Sequence, residues 1–241
     1  SSWQVGSTSV HLGKDAGKNF NGDNTVAIGN DAGNTTQQSN AVAIGYGAGS
    51  SNQGPNTVAV GDYAGNNSQG ASAIAIGNFA GSVSQQSNSV AIGDNSGATS
   101  QGSFSLAIGY SSGNSSQGIS CVALGPNTGL NTQGNNSVAI GDSSGQTSQG
   151  SRAITIGYLS AQSNQGDQSI AIGYNAGSSS QGVDSIAIGS GAGVSSQGLS
   201  SISLGFASGN ISQGSNSIAI GTDSGKNTQG NESIAIGASA G

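Results

Sequence analysis

The side chains able to do chemistry are few and scattered. One histidine, His11, and one cysteine, Cys121, are present, and neither has the second His or Cys that a triad or a zinc site needs. His11 therefore reads as a packed or interface residue, and Cys121 as a small buried one. Aspartates recur in one place: Asp15, Asp31, Asp62, Asp94, Asp142 and Asp223 each follow a regularly spaced glycine by one or two residues. A stacked carboxylate column is a calcium chemistry. Here Asn, Ser, Tyr and Gly interrupt the column and the calcium-binding nonapeptide pattern is missing, so a solvated corner is expected. No catalytic residue, cofactor or metal is assigned, and an enzyme is not expected. The same corner carries Tyr46, Tyr110, Tyr158, Tyr174 and Phe206, with Tyr63 and Phe79 one place on. Such rings can stack on sugar rings or a protein partner, or pack over the neighbouring coil. Arg152 lies in a divergent coil, residues 151–166, which also holds Thr155, Leu159 and Ala161. Tyr46, Tyr110, Tyr158, Tyr174 and Arg152 are the candidate surface contacts.

What positions these residues is a repeat. An aliphatic, a small residue, an aliphatic and a glycine recur, as in Val90-Ala91-Ile92-Gly93 and Ile218-Ala219-Ile220-Gly221. The closing glycines run from Gly13 to Gly237 at a constant period of sixteen, without insertion or deletion. A fixed period of this length means stacked units rather than one globular core. Alternation of aliphatic and small residues is the period of a strand, and no stretch shows helical spacing. Four residues after the motif glycine comes a second glycine, with Ala161 the exception, and the residue before it is always Ala, Ser or Thr. Eight residues after the motif glycine comes Gln, with Asn21 the exception, and then usually a third glycine. Gln38 and Gln86 replace that third glycine, so its corner does not demand a positive φ.

Composition sets limits. Charged residues are 6%, aromatics 4%, and the formal net charge is −6. Polar low-complexity chains of this kind are often disordered, but disorder gives no reason for strict register. The four cations, Lys14, Lys18, Arg152 and Lys226, form no basic stripe, so no nucleic-acid partner is expected. No apolar run approaches the roughly 20 residues of a membrane helix, so this segment is not expected to insert in a membrane. Methionine is absent and residue 1 is not an initiator, which suggests a segment of a longer chain. Residues 1–8, with Trp3 and Val5, read as a lead-in or cap, and residues 9–241 as a single repeat array.

The fold expected is all-β, a parallel β-solenoid of about fifteen coils. The aliphatic positions are expected to fill the coil and the alanine face to pack on a neighbouring chain, because an exposed apolar stripe of that length is unusual. The Gln column is expected to form an amide ladder from rung to rung.

The signatures Asn-Ser-Val-Ala-Ile-Gly at 88–93 and 136–141 and Asn-Ser-Ile-Ala-Ile-Gly at 216–221 resemble the repeat of YadA-type trimeric autotransporter adhesin heads. The longer pattern Ala171-Ile172-Gly173-Tyr174-Asn175-Ala176-Gly177, followed by Gln181-Gly182, is also similar to repeats in fibre proteins of large DNA viruses and marine phages. The resemblance implies a left-handed β-roll, a side-by-side homotrimer, and display on a virion or an extracellular cell surface. It further implies a structural rod or spacer with a host-surface glycan or protein receptor as partner. The regular spacing and the Gln-Gly corner depart from the adhesin heads. The alternative from another class is an ice-binding β-solenoid, for which contiguous paired Thr columns are missing.

Overall fold

The computed structural model describes residues 9–241; the lead-in expected over residues 1–8, with Trp3 and Val5, lies outside them. The chain divides into two compact units, Ser1–Ile119 and Ser120–Gly241. Among the described residues there is no helix. In the first unit the motif strands run from Val10–Leu12 to Leu106–Ile108, each parallel to the next and in register sixteen residues on. Val90 pairs with Leu106, Ala91 with Ala107 and Ile92 with Ile108. A second parallel sheet of five short strands, from Asn19–Asn21 to Val83–Gln85, carries the Gln positions. The second unit repeats the plan, with motif strands from Val122–Leu124 to Ile234–Ile236 and a four-stranded sheet from Thr147–Gln149 to Ser195–Gln197. Both units are thus parallel β-solenoids with one sixteen-residue coil per turn.

The coil turns through left-handed residues. In the coil that begins at Gly93, positive φ falls at Asn95, Gly97, Ser100 and Phe104 as well as at Gly93 itself. Asn and Asp, which tolerate this region, hold many of the non-glycine sites, and Ser holds most of the rest. The third glycine corner behaves as its replacement by Gln38 and Gln86 suggests: Gly54 and Gly70 have no positive φ.

The interior is the reverse of the expectation. Ala27, Ala43, Ala59, Ala75 and Ala91 are completely buried and form the core of the first unit, joined by alanines before the second glycine such as Ala32 and Ala48. Ala171, Ala187 and Ala219 hold the same place in the second unit. The Val, Ile and Leu residues on either side of each alanine face outward and are half-buried or exposed. The reason is width. A Cβ placed on Gly97 would lie 3.2 Å from the Ala91 Cβ, so the motif strand and the opposite corner already touch across the coil. Thr155 is the largest side chain buried in this column, so isoleucine and leucine are too large for it, and the remaining space takes one long planar amide per turn.

That amide is the glutamine, and its bonding also departs from the expectation. Gln101 Nε2 donates to the Val90 carbonyl at 2.8 Å and to the Ser105 carbonyl at 3.3 Å. The pattern recurs at Gln37, Gln69, Gln133, Gln181 and Gln229. Rung-to-rung amide bonds join Gln53 to Gln69 (3.3 Å), Gln85 to Gln101 (3.1 Å) and Gln213 to Gln229 (3.3 Å), but the backbone carbonyl is the constant partner. A carbonyl buried without water needs a donor, and the glutamine supplies it within its own coil. An amide ladder does form outside: Asn24 Nδ2 donates to Asn40 Oδ1 at 3.1 Å, and Asn40 Nδ2 to Asn56 Oδ1 at 3.2 Å. Buried hydroxyls are paired locally, as in Ser96 Oγ to the Ala107 carbonyl (2.7 Å) and Ser169 Oγ to the Gly166 carbonyl (2.6 Å). Cys121 is buried and directs its Sγ at the Gly134 carbonyl, 2.9 Å away, as its small-residue position suggests.

Candidate functional site

Two surfaces stand out, and both follow from the inward alanines. The first is the outer face of the motif strands. Strand periodicity sends residues on both sides of each buried alanine to the same outer face. In the second unit this places Ile170 and Ile172 beside Ile186 and Ile188, in paired ranks one rung apart. The ranks contain only Val, Ile and Leu, and Leu124 (40%) and Leu204 (41%) are among their most exposed members. A contiguous aliphatic face of this extent marks an interaction surface.

The second is the corner just after the motif glycine. Backbone ladder bonds stack its rungs: Asn175 N donates to the Tyr158 carbonyl at 3.0 Å, Gly191 N to the Tyr174 carbonyl at 2.9 Å, and Ala207 N to the Ser190 carbonyl at 2.9 Å. The Tyr158 and Tyr174 rings are stacked, with centroids 5.8 Å apart and planes 26° apart. In the first unit Tyr46 meets Tyr63 edge-to-face at 5.1 Å, and Tyr63 stacks on Phe79 at 5.2 Å. A hydrogen bond with Tyr46 raises the pKa of the Tyr63 phenol, and desolvation and the nearby Tyr46, Asp62 and Asp31 charges push the same way. Tyr110 stands exposed on the same corner.

The proposed contact residues are therefore not one site. Tyr158 and Tyr174 are brought together; Tyr46 and Tyr110 belong to the other unit, and Tyr46 pairs with Tyr63 instead. Arg152 is exposed on a different corner, five places before its own motif glycine, in a left-handed conformation. Its coil is otherwise accommodated: Thr155 is buried and accepts a hydrogen bond from Ser144 Oγ at 2.7 Å.

The acidic positions are engaged locally. Lys18 and Asp15 form an ion pair at 3.0 Å, Lys226 and Asp223 one at 2.8 Å, and Asn34 donates to Asp31 at 2.9 Å. Among the described residues no three His, Cys, Asp or Glu side chains converge as a metal site would require. His11 sits in the alanine column of its strand and bonds through Nε2 to Thr25 Oγ1 at 3.1 Å. Among the described residues no helix is long and apolar enough to cross a membrane.

Residues 37–64, 84–112, 161–176 and 165–192 match the YadA head domain repeat. The matched segments lie in both units and include Asn88–Gly93, one of the signatures quoted above. The repeats of this chain are thus similar to YadA head repeats, and the parallel β-solenoid agrees with that likeness. No curated protein matches the chain.

Proposed function

We propose that this chain is a non-enzymatic structural segment of a surface adhesin or fibre, in which three copies associate side by side through their aliphatic faces. The observation that supports this reading is the paired outward ranks of Val, Ile and Leu on each unit. Covering such a face removes apolar surface from water at about 25 cal/mol per Å². A second copy is the partner that fits best, because it presents the same ranks at the same rung spacing and meets them row for row. The number three and the surface setting follow from the likeness to YadA heads. On a cell or virion surface the segment acts as a rigid spacer, and its exposed corner aromatics are the contacts for a host-surface glycan or protein receptor.

The test is the mass of the whole chain in solution. Sedimentation equilibrium should return three times the 23.0 kDa of one chain. Replacing Ile172 and Ile188 together by Lys should lower that mass to one chain while leaving the extended-sheet circular dichroism unchanged. A wild-type monomer at tens of micromolar would contradict the reading.

A further inference from the structure

The aromatic column of the second unit is broken at one rung, and the break has the form of a slot. Its successive rungs carry Tyr158, Tyr174, Ser190 and Phe206, an order fixed by the backbone ladder bonds. Tyr158 stacks on one side of Tyr174, which directs the Tyr174 ring along the column and leaves its other face toward the Ser190 rung. That rung holds only a small hydroxyl and, next to it, Gly191. Gly191 is not crowded: an added Cβ would make only ordinary van der Waals contacts, with Asn210 Nδ2 at 3.5 Å and with Ala207 and Val194 at 3.9 Å. Asn210 is itself held, donating through Nδ2 to the Gly191 carbonyl at 2.7 Å. Beyond the gap stands Phe206, which at 58% exposed is as open to solvent as Tyr174 at 57%.

We propose that Tyr174 and Phe206 flank a binding slot for one neutral pyranose ring of a glycan, with Ser190 and Gly191 as its floor. This rests on the reading of the corner as a contact surface, and it names the chemistry of the partner. Two rungs separate the backbones that carry the walls by about 9.5 Å. Carbon contacts of about 3.5–4.0 Å on each side leave roughly 2 Å for the thickness of the guest. A flat aromatic ring would be loose in that space; a puckered ring carrying hydrogens on both faces fills it. The C–H faces of a pyranose stack on aromatic rings, and its hydroxyls find the Ser190 Oγ and the Tyr174 phenol. The charge balance argues against an anionic sugar. The chain carries a net −6, and the neighbouring cation, Lys226, is paired with Asp223.

The experiment is retention of the full chain on an array of neutral hexopyranose oligosaccharides, with attachment to intact host cells measured alongside. Ser190→Tyr fills the slot with a residue that the same position already carries in Tyr158 and Tyr174, so the coil should fold. Phe206→Ala removes one wall. Both should lower retention at least tenfold, while Val183→Ser, on a different corner where Ser151 and Ser215 stand in other coils, should leave it unchanged. Array retention that survives Ser190→Tyr overturns the slot and leaves the contact-surface reading intact, as does cell attachment without array retention. Absence of both overturns the slot and that reading together.

Discussion

Gln101 donates its side-chain amide to the carbonyl of Val90, eleven residues earlier on the opposite wall of the coil, at 2.8 Å. The bond ties the motif strand of one turn to the opposite wall of the same turn, inside a space that admits little else. Replacing Gln101 by Ala removes the bond, leaves the Val90 carbonyl without that donor and opens a cavity. The expected loss is about 2–4 kcal/mol, read as a lower urea midpoint. Gln101→Glu should add a pH dependence. The introduced carboxyl is buried against carbonyl oxygens, so its folded pKa is raised above the unfolded value of about 4.3. The variant should approach wild-type stability below that pH, where the protonated acid can donate, and lose stability as pH rises through the folded pKa. A pH-independent deficit would contradict this assignment of the bond.

Glycines at the two main corners should differ in tolerance. Gly93 has φ +126°, and a Cβ there would sit 2.6 Å from the Gly109 carbonyl oxygen of the next rung. Backbone above and below cannot yield, so Gly93→Ala should cost at least about 3 kcal/mol. Gly97 has φ +52°, and its added Cβ would meet the Gln101 side-chain amide at 2.9 Å. This corner accepts Ala161 in one coil, at φ 42°. Ala161→Gly should therefore stabilise the chain by about 0.5–1 kcal/mol, since alanine is strained in the left-handed region. Equal effects of alanine at Gly93 and Gly97 in thermal unfolding would contradict the account of the corners.

The Tyr46–Tyr63 contact predicts a titration shift. The hydrogen bond is the largest cause of the raised Tyr63 pKa. Tyr46→Phe should return the Tyr63 phenol toward the ordinary value of about 10, seen as one tyrosine ionising at lower pH in the absorbance titration. A curve that differs from wild type only by the loss of one phenol, with no tyrosine moved to lower pH, would show that the two phenols are not bonded.

Much of the fold is legible in the residues. Constant spacing of the motif glycines gives the rung register found between Val90 and Leu106, and Gln38 and Gln86 reveal which corner needs no positive φ. What period-two alternation does not give is which face turns inward. Both faces of Val90-Ala91-Ile92 are non-polar, and the choice depends on coil width. Width is set by left-handed turns at residues such as Asn95 and Ser100. Their recurrence as Asn and Ser is a visible signal, but its consequence for the interior appears only when the coil is closed. The candidate site was partly legible: the aromatic column can be listed from Tyr158, Tyr174 and Phe206. The slot depends on the missing ring at Ser190, which becomes visible only when rungs are aligned.

The arrangement of alanine inside and isoleucine outside is tested most directly by exchanging sizes within one strand and measuring urea unfolding. Ala91 is completely buried. Ala91→Ile should collapse the urea midpoint, because overpacking costs about 1–3 kcal/mol or more where neither wall can move. Ile92→Ser in the same strand should leave the sheet signal intact and weaken only association. The reverse result, with Ala91→Ile tolerated and Ile92→Ser unfolding the dissociated chain, would contradict the account.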